Sequence, residues 1–180
     1  MILVEGETEV WYFQMMKRHK ELKDVKIEPE LPQKRKLEEL FKEAKDKAKD
    51  YDRVFVLIDF DKILQDNAVE KFKQEIRRIR KNRKISLLVN NPCLEFWFLL
   101  HFKETGKGFI NCAKVTAELR KYLSDYEKNK KYFTGERDIY GRLKDKLERA
   151  IKNGKRLGEF DINNPSASKA EIYRIFEEIG

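Results

Sequence analysis

The sequence predicts an α/β protein: a parallel β-sheet sandwiched by helices, with a helical cap toward the C-terminal end. Three observations predict it. The run Val54-Phe55-Val56-Leu57-Ile58 is five apolar residues without a polar break, three of them β-branched, which is how a strand buried on both faces reads. Apolar, strand-like segments alternate with amphipathic helical ones over the first hundred residues, and such repeats imply parallel strands joined by right-handed crossovers. Beyond Phe102 the strand-like segments stop while helical periodicity continues. The expected division is a Rossmann-like core over 1–103 and a helical extension over 104–180, packed together as one unit.

Taken in order, Ile2-Leu3-Val4 reads as a short buried strand, and Gly6 permits a tight turn out of it. Thr8 can cap a helix over about Glu9 to Lys20, whose apolar residues (Val10, Trp11, Phe13, Met15, Met16) surround most of it and predict burial. Val25-Lys26-Ile27 is a weak second strand, stopped by Pro29 and Pro32. Leu37, Leu40, Phe41, Ala44 and Ala48 mark one face of a helix over about Lys34 to Lys49. After the central strand a loop is expected beyond Asp61, then a helix near Asn67 to Lys81. Ile85 to Val89 is a fourth strand. Asn91 and Pro92 suit the cap and first turn of the next helix, Cys93 to Phe102, which is apolar all round except for Glu95 and His101. Residues 104–111 read as a loop, followed by helices over Cys112–Tyr126 and Asp138–Lys152. Asn164-Pro165-Ser166 reads as a hinge. The capping box Ser168-Lys169-Ala170-Glu171 predicts a last helix, Ser168 to Ile179.

Forty Lys and Arg against 32 Asp and Glu give a formal net charge of +8. That favours polyanionic partners only weakly, since the charges are interspersed, and Lys/Glu richness also serves solubility or high-temperature life. Cys93 and Cys112 read as free thiols of a reducing cytosol. Met1 leads straight into an apolar triplet and acids, with no basic-then-apolar leader, and nothing approaches the roughly 18 apolar residues of a membrane span. The expectation is a soluble, cytoplasmic protein without a membrane partner.

The chemistry concentrates at Asp59-Phe60-Asp61. In open α/β sheets, sites form beyond the carboxyl ends of the strands, at the point where strand order reverses. Two acids there cost solvation and repel each other unless a cation joins them. With strands in the order 2-1-3-4, Glu5 shares that crevice, and Glu9, one helical turn on, leans toward it.

Three stretches together, Val4-Glu5-Gly6-Glu7-Thr8-Glu9, Asp59-Phe60-Asp61, and Asn91-Pro92-Cys93-Leu94-Glu95-Phe96-Trp97-Phe98-Leu99-Leu100-His101-Phe102, resemble the RloB family of restriction–modification and phage-defence loci. Asn164-Pro165-Ser166 fits that family too. The resemblance covers nearly the whole chain. The first two motifs are weak alone, the third is fairly distinctive, and their order and spacing carry the likeness. It implies the Toprim fold of topoisomerase, primase and OLD-type nuclease catalytic domains, with Mg²⁺ (or Mn²⁺) held against a phosphodiester. It assigns Glu5, Glu9, Asp59 and Asp61 to the metal, and Glu5, Asp59, Asp61, Glu95 and His101 to the catalytic set. It implies a Mg²⁺-dependent nuclease acting on RNA or DNA in an anti-phage, abortive-infection system, and a partner ATPase encoded alongside. A homo-oligomer is compatible with it.

Plainer readings stand beside these. Asp is common after strands, and Glu5 and Glu9 suit a helix N-terminus. Glu95, an acid among Leu94, Phe96, Trp97 and Phe98, is costly to bury unpaired; it either reaches the crevice or accepts backbone N–H groups at the helix start. His101 reads more as a core residue supporting the site than as a proton donor. Arg77, Arg78, Arg80, Lys81, Arg83 and Lys84 form a basic run that suits phosphate tracking, or a helix C-terminus. Lys130, Lys131 and Tyr132 combine cations with an aromatic ring, as on a single-strand stacking surface. Two rival functions remain. One is a non-catalytic nucleic-acid-binding or regulatory subunit of an ATPase-containing defence complex. The other is an Asp-x-Asp phosphatase, disfavoured by Ile63, where such enzymes carry Thr or Val.

Overall fold

The computed structural model describes residues 1–30 and 36–179. Its sheet has five strands: β1 (Ile2–Leu3), β2 (Ile27–Glu28), β3 (Val54–Asp59), β4 (Ile85–Asn91) and β5 (Lys169–Ala170), in the order β2-β1-β3-β4-β5. The first four are mutually parallel, as the strand–helix alternation predicts, and β5 runs antiparallel to β4. The protein is thus a Rossmann-like α/β fold with helices on both faces. The unbroken apolar run of β3 has a direct cause: Phe55 and Leu57 enter one core, and Val54, Val56 and Ile58 the other.

One face is covered by α2 (Leu37–Lys47) and α4 (Val69–Ile79), whose Phe41 and Phe72 meet edge to face. The predicted start of the first of these, Lys34, lies outside the described residues, as does Pro32. The other face carries α1 (Glu7–His19) and α5 (Leu94–Leu100), then the cap: α6 (Cys112–Leu119), α7 (Lys130–Thr134), α8 (Ile139–Leu143), a 3₁₀ turn (Lys144–Lys146), α9 (Leu147–Leu157) and α10 (Tyr173–Ile179). Val10, Phe98, Leu119, Ile139, Ala150 and Phe176 belong to one continuous core, so the two parts of the chain share their interior. No helix among the described residues is long and apolar enough to cross a membrane.

Several boundaries differ from expectation, each for a physical reason. No loop follows Asp61 directly: α3 (Phe60–Gln65) begins at once, because Phe60 packs on Phe160 and Phe72. Asn91 does not cap α5. It ends β4, and its Nδ2 donates to the carbonyls of Pro165 (2.7 Å) and Ala167 (2.8 Å), which moves the N-cap to Cys93. The helix from Cys112 stops at Leu119, where Arg120 turns back to donate to the Tyr126 carbonyl. The predicted 138–152 helix divides into α8, the 3₁₀ turn and α9, and α9 runs on through Gly154, where a Cβ would come within 2.9 Å of the Tyr173 ring. The capping box at Ser168 does not open a helix. Lys169 and Ala170 extend the sheet, Ser168 Oγ accepts from the Phe109 N–H (2.8 Å), and Glu171 accepts from the Val89 N–H (2.7 Å) and the Phe160 N–H (3.0 Å). Edge pairing plus two buried N–H groups outcompetes a cap at a solvated helix end. The C-terminal segment therefore contributes a strand as well as helices.

A carboxylate-floored crevice at the carboxyl edge of the sheet

β1 and β3 are neighbours, so Glu5 and Asp59 leave the same edge of the sheet at the point where strand order reverses. Asp59 continues the parity of Phe55 and Leu57 and therefore faces the side of α1 and α5. Glu9 comes from the first turns of α1 and Glu95 from the first turn of α5. The Asp61 backbone N–H donates to the Pro92 carbonyl at 3.0 Å, which ties the start of α3 to the loop before α5. Glu5, Glu9 and Asp59 line a cavity of about 930 Å³, at the upper end of the range for small-ligand sites, whose walls include Trp11, Lys36, Lys62, Lys71 and Lys128, while Asp61 and Glu95 lie outside its lining.

Gly6 lies close under the ends of the Glu9 and Lys62 side chains. Its φ of −121° is open to any residue. A side chain there, however, would collide with the Glu9 carboxylate and come within 3.1 Å of Lys62 Nζ. Thr8 lies inside α1 and does not cap it; its Oγ1 donates to Glu9 Oε2 at 3.0 Å.

Burial dominates the electrostatics of these acids, with lysines opposing it. Burial pushes the Glu5 carboxyl up to about 7, with Lys62 pulling it down and Glu9 pushing it further up. Asp59 is held well above the carboxylate range by burial first and then by Glu9, with Lys62 opposing. Asp61 is also raised, by burial against the pull of Lys128 and Lys62. Glu5 Oε2 is buried and has no hydrogen-bond partner among the described residues. Asp59 Oδ1 accepts from Asn90 Nδ2 at 3.1 Å, the residue opposite it in the β3–β4 register. Glu95 is held from outside: Tyr126 Oη donates to Oε1 at 2.7 Å, Lys128 Nζ pairs with Oε1 at 2.6 Å, and Cys112 Sγ lies 2.9 Å from Oε2. It takes no backbone N–H at the start of α5, but it contributes to the field felt by Asp59 and Asp61.

These residues fit a hard divalent cation. Glu5, Glu9 and Asp59 offer only oxygens to the cavity, and Glu5 Oε2 is buried without a partner among the described residues. The burial penalties on Glu5 and Asp59 are what a bound Mg²⁺ would offset. Glu5, Glu9 and Asp59 could hold it, whereas the Asp61 carboxylate is gathered with the Cys93 and Cys112 sulfurs.

His101 does not join this group. It ends α5, six residues or about 9 Å along the axis from Glu95, with Nδ1 3.0 Å from the Trp97 carbonyl and its ring edge-on to Trp97. Burial lowers it to about 4. The basic run Arg77, Arg78, Arg80, Lys81, Arg83 and Lys84 lies at the end of α4 and the turn into β4, at the amino edge of the sheet. A seven-residue strand, roughly 20 Å long, separates it from the acids. Within the run, Arg78 is paired with Glu75. Lys130 and Lys131 are exposed on α7, but the Tyr132 ring is covered by Arg142, 4.6 Å from its centroid.

Residues that sequence reasoning passed over complete the site. Lys62 is half-buried among four acids: burial lowers its pKa, but Glu9, Asp59, Glu5 and Asp61 outweigh that and leave it raised. Its adjacency to Asp61 was the only signal. Lys128 and Tyr126 come from a segment with no motif. The expectation of free thiols is overturned: Cys93 and Cys112 form a disulfide that joins the N-cap of α5 to the first residue of α6. The two sulfurs are 19 residues apart in sequence, and only the packing of α6 on α5 brings them together.

The family model described as RloB-like protein matches residues 1–179. No curated protein and no solved structure matches the chain.

Proposed function

The chain belongs to the RloB-like family, and from that premise we propose that it is a Mg²⁺-dependent, Toprim-type nuclease that cleaves RNA or DNA phosphodiesters in an anti-phage, abortive-infection system. The observation that supports the reading is that Glu5, Glu9 and Asp59 line one cavity at the switch point of the sheet, with Asp61 two residues beyond Asp59 and Glu5 Oε2 buried without a partner among the described residues. When bound there, a divalent cation supplies a water of lowered pKa and neutralises charge on the phosphate. Mn²⁺, with the same taste for oxygen ligands, would serve as well. Glu5 and Asp59 are the holding residues. Asn90 fixes one oxygen of Asp59. Glu9, on the cavity wall, is positioned to accept the water's proton. Lys62 and Lys128 face the place where phosphate charge grows. Glu95, pinned by Tyr126 and Lys128, sets the position of Lys128 rather than moving itself.

The test is incubation of total RNA and plasmid DNA with Mg²⁺, Mn²⁺ or EDTA, wild type against Asp59→Ala, with and without the neighbouring ATPase. Metal-dependent cuts that vanish in a folded Asp59→Ala chain are expected; cleavage that survives the change would overturn the assignment.

One observation favours a second reading. Lys62 already sets an ammonium among Glu5, Glu9, Asp59 and Asp61, and an acid cluster so neutralised could persist without metal, as in a nucleic-acid-binding or regulatory subunit of an ATPase-containing complex. Tight, EDTA-insensitive nucleic-acid binding without turnover in the presence of the ATPase would establish it.

A further inference from the structure

The disulfide abuts two carboxylates. One oxygen of Asp61 and the sulfurs of Cys93 and Cys112 all lie within 4.8 Å of one another, and Cys112 Sγ is 2.9 Å from Glu95 Oε2. An oxidised sulfur has no proton to donate, so that approach to the carboxylate is a contact without a hydrogen bond. Lys128 Nζ, 3.5 Å from Cys112 Sγ, is the neighbouring cation.

We propose that Cys93 and Cys112, once reduced, form with Asp61 and Glu95 a thiolate site for a soft divalent cation of the Zn²⁺ class, beside the acid crevice and joined to it through Asp61. Two sulfurs and two carboxylate oxygens make a four-coordinate set. Ligands tetrahedral about a zinc at 2.3 Å stand about 3.8 Å apart; Asp61 and the two sulfurs are already gathered within 4.8 Å, and Glu95 Oε2, 2.9 Å from Cys112 Sγ, completes the set by side-chain rotation. Thiolate ligands select Zn²⁺ over Mg²⁺. Cys93 is buried and Cys112 half-buried at the heads of α5 and α6, so the helices hold the set in place. Lys128 is exposed and has room to leave Glu95 as the cation's charge arrives.

The chemistry balances with a dithiol reductant. Its two thiols pass two electrons and two protons to the Cys93–Cys112 bond, leaving two cysteine thiols and the reductant's own disulfide. The cation then displaces both thiol protons to solvent. Oxidised and metal-loaded forms exclude each other. Asp61, two residues beyond Asp59, links the redox state of the pair to the acid crevice.

The probe is Co²⁺, added to the full-length chain after reduction and removal of reductant, and then competed with Zn²⁺. One equivalent of Co²⁺ should give intense near-ultraviolet thiolate-to-metal charge transfer, displaced by one equivalent of Zn²⁺. The oxidised chain should give none. Cys93→Ser and Cys112→Ser should each lose about half of the band and bind at least about 10-fold more weakly, whereas Asp61→Asn should keep the band and bind about 10-fold more weakly. In the unsubstituted chain, Zn²⁺ should slow alkylation of both thiols by more than about 10-fold, a readout that needs no variant to fold. Absence of charge transfer in the reduced chain, a band indifferent to Cys93→Ser and Cys112→Ser, or alkylation unaffected by Zn²⁺ would overturn the proposal. None of these readouts depends on nuclease activity.

Discussion

Asn90 lies directly across from Asp59 in the parallel register of β3 and β4, and its Nδ2 donates to Asp59 Oδ1 at 3.1 Å. Asn90 is fully buried and its own Oδ1 has no partner among the described residues. The amide thus orients an acid that burial would rather keep neutral. The fold stores an electrostatic cost here, and a bound cation would release it.

The first consequence is thermal. Mg²⁺ at 100 times its dissociation constant should stabilise the chain by about 2.7 kcal/mol, raising Tm by about 5–10 °C for a domain of this size. Asp59→Asn should raise Tm in EDTA and abolish the Mg²⁺ shift. Differential scanning calorimetry with and without EDTA measures both; an undiminished Mg²⁺ shift in Asp59→Asn would remove Asp59 from the metal set.

Glu5 sets a pH dependence. Its folded pKa, about 7, lies above the ordinary 4.5 of a free glutamate, so the unfolded chain releases the proton first. Stability then falls as pH rises from about 4.5 to 7, by on the order of 2–3 kcal/mol. In EDTA, Glu5→Gln should be more stable than wild type at pH 7.5 and equal to it below pH 4.5, as read from urea midpoints across the pH range.

His101 acts on the acid side. Its folded pKa, about 4, lies below the unfolded 6.5, so stability is lost as pH falls from 6.5 toward 4, by on the order of 3 kcal/mol. His101→Phe should flatten that arm while metal-dependent cleavage persists. Loss of cleavage in a folded His101→Phe chain would restore a catalytic role.

Glu171 bridges the edge of β4 to the segment before β5, with one oxygen on the Val89 N–H and the other on the Phe160 N–H. Glu171→Ala strands both donors and should cost on the order of 2–4 kcal/mol. Glu171→Gln, which keeps one acceptor, should cost less. Chemical denaturation distinguishes the two.

Nucleic-acid affinity should depend on the crevice wall more than on the amino-edge run. Lys128→Ala should weaken binding of a short oligonucleotide and reduce its salt slope by about 1. Arg80→Ala and Lys81→Ala, roughly 20 Å of strand away, should leave short-oligonucleotide binding unchanged. Titrations at several salt concentrations decide it.

What could be read from the sequence was whatever a single segment encodes. The buried run ending in Asp59, the strand order that brings Glu5 beside it, and the isolation of Glu95 in an apolar helix all follow from local pattern and crossover handedness. What could not be read depends on partners distant in the chain. Ser168-Lys169-Ala170-Glu171 carries the signature of a helix start, but the free edge at Asn90 and Asn91 claims it as a strand. Lys62 looks like any surface lysine until α3 turns it among four acids. Cys93 and Cys112 carry no sign of pairing until α6 packs on α5.

The chain has two tryptophans, and the fold gives them different tasks. Trp97 is sealed in the interior, with its indole N–H on Tyr12 Oη at 2.8 Å and its ring stacked on Phe176. Trp11 lines the crevice against Phe133. Replacing Trp97 with Phe would leave Trp11, on the lining of the site, as the chain's one tryptophan. Its emission would then follow the arrival of a polyanion or a cation in real time, with no dye attached and no turnover required.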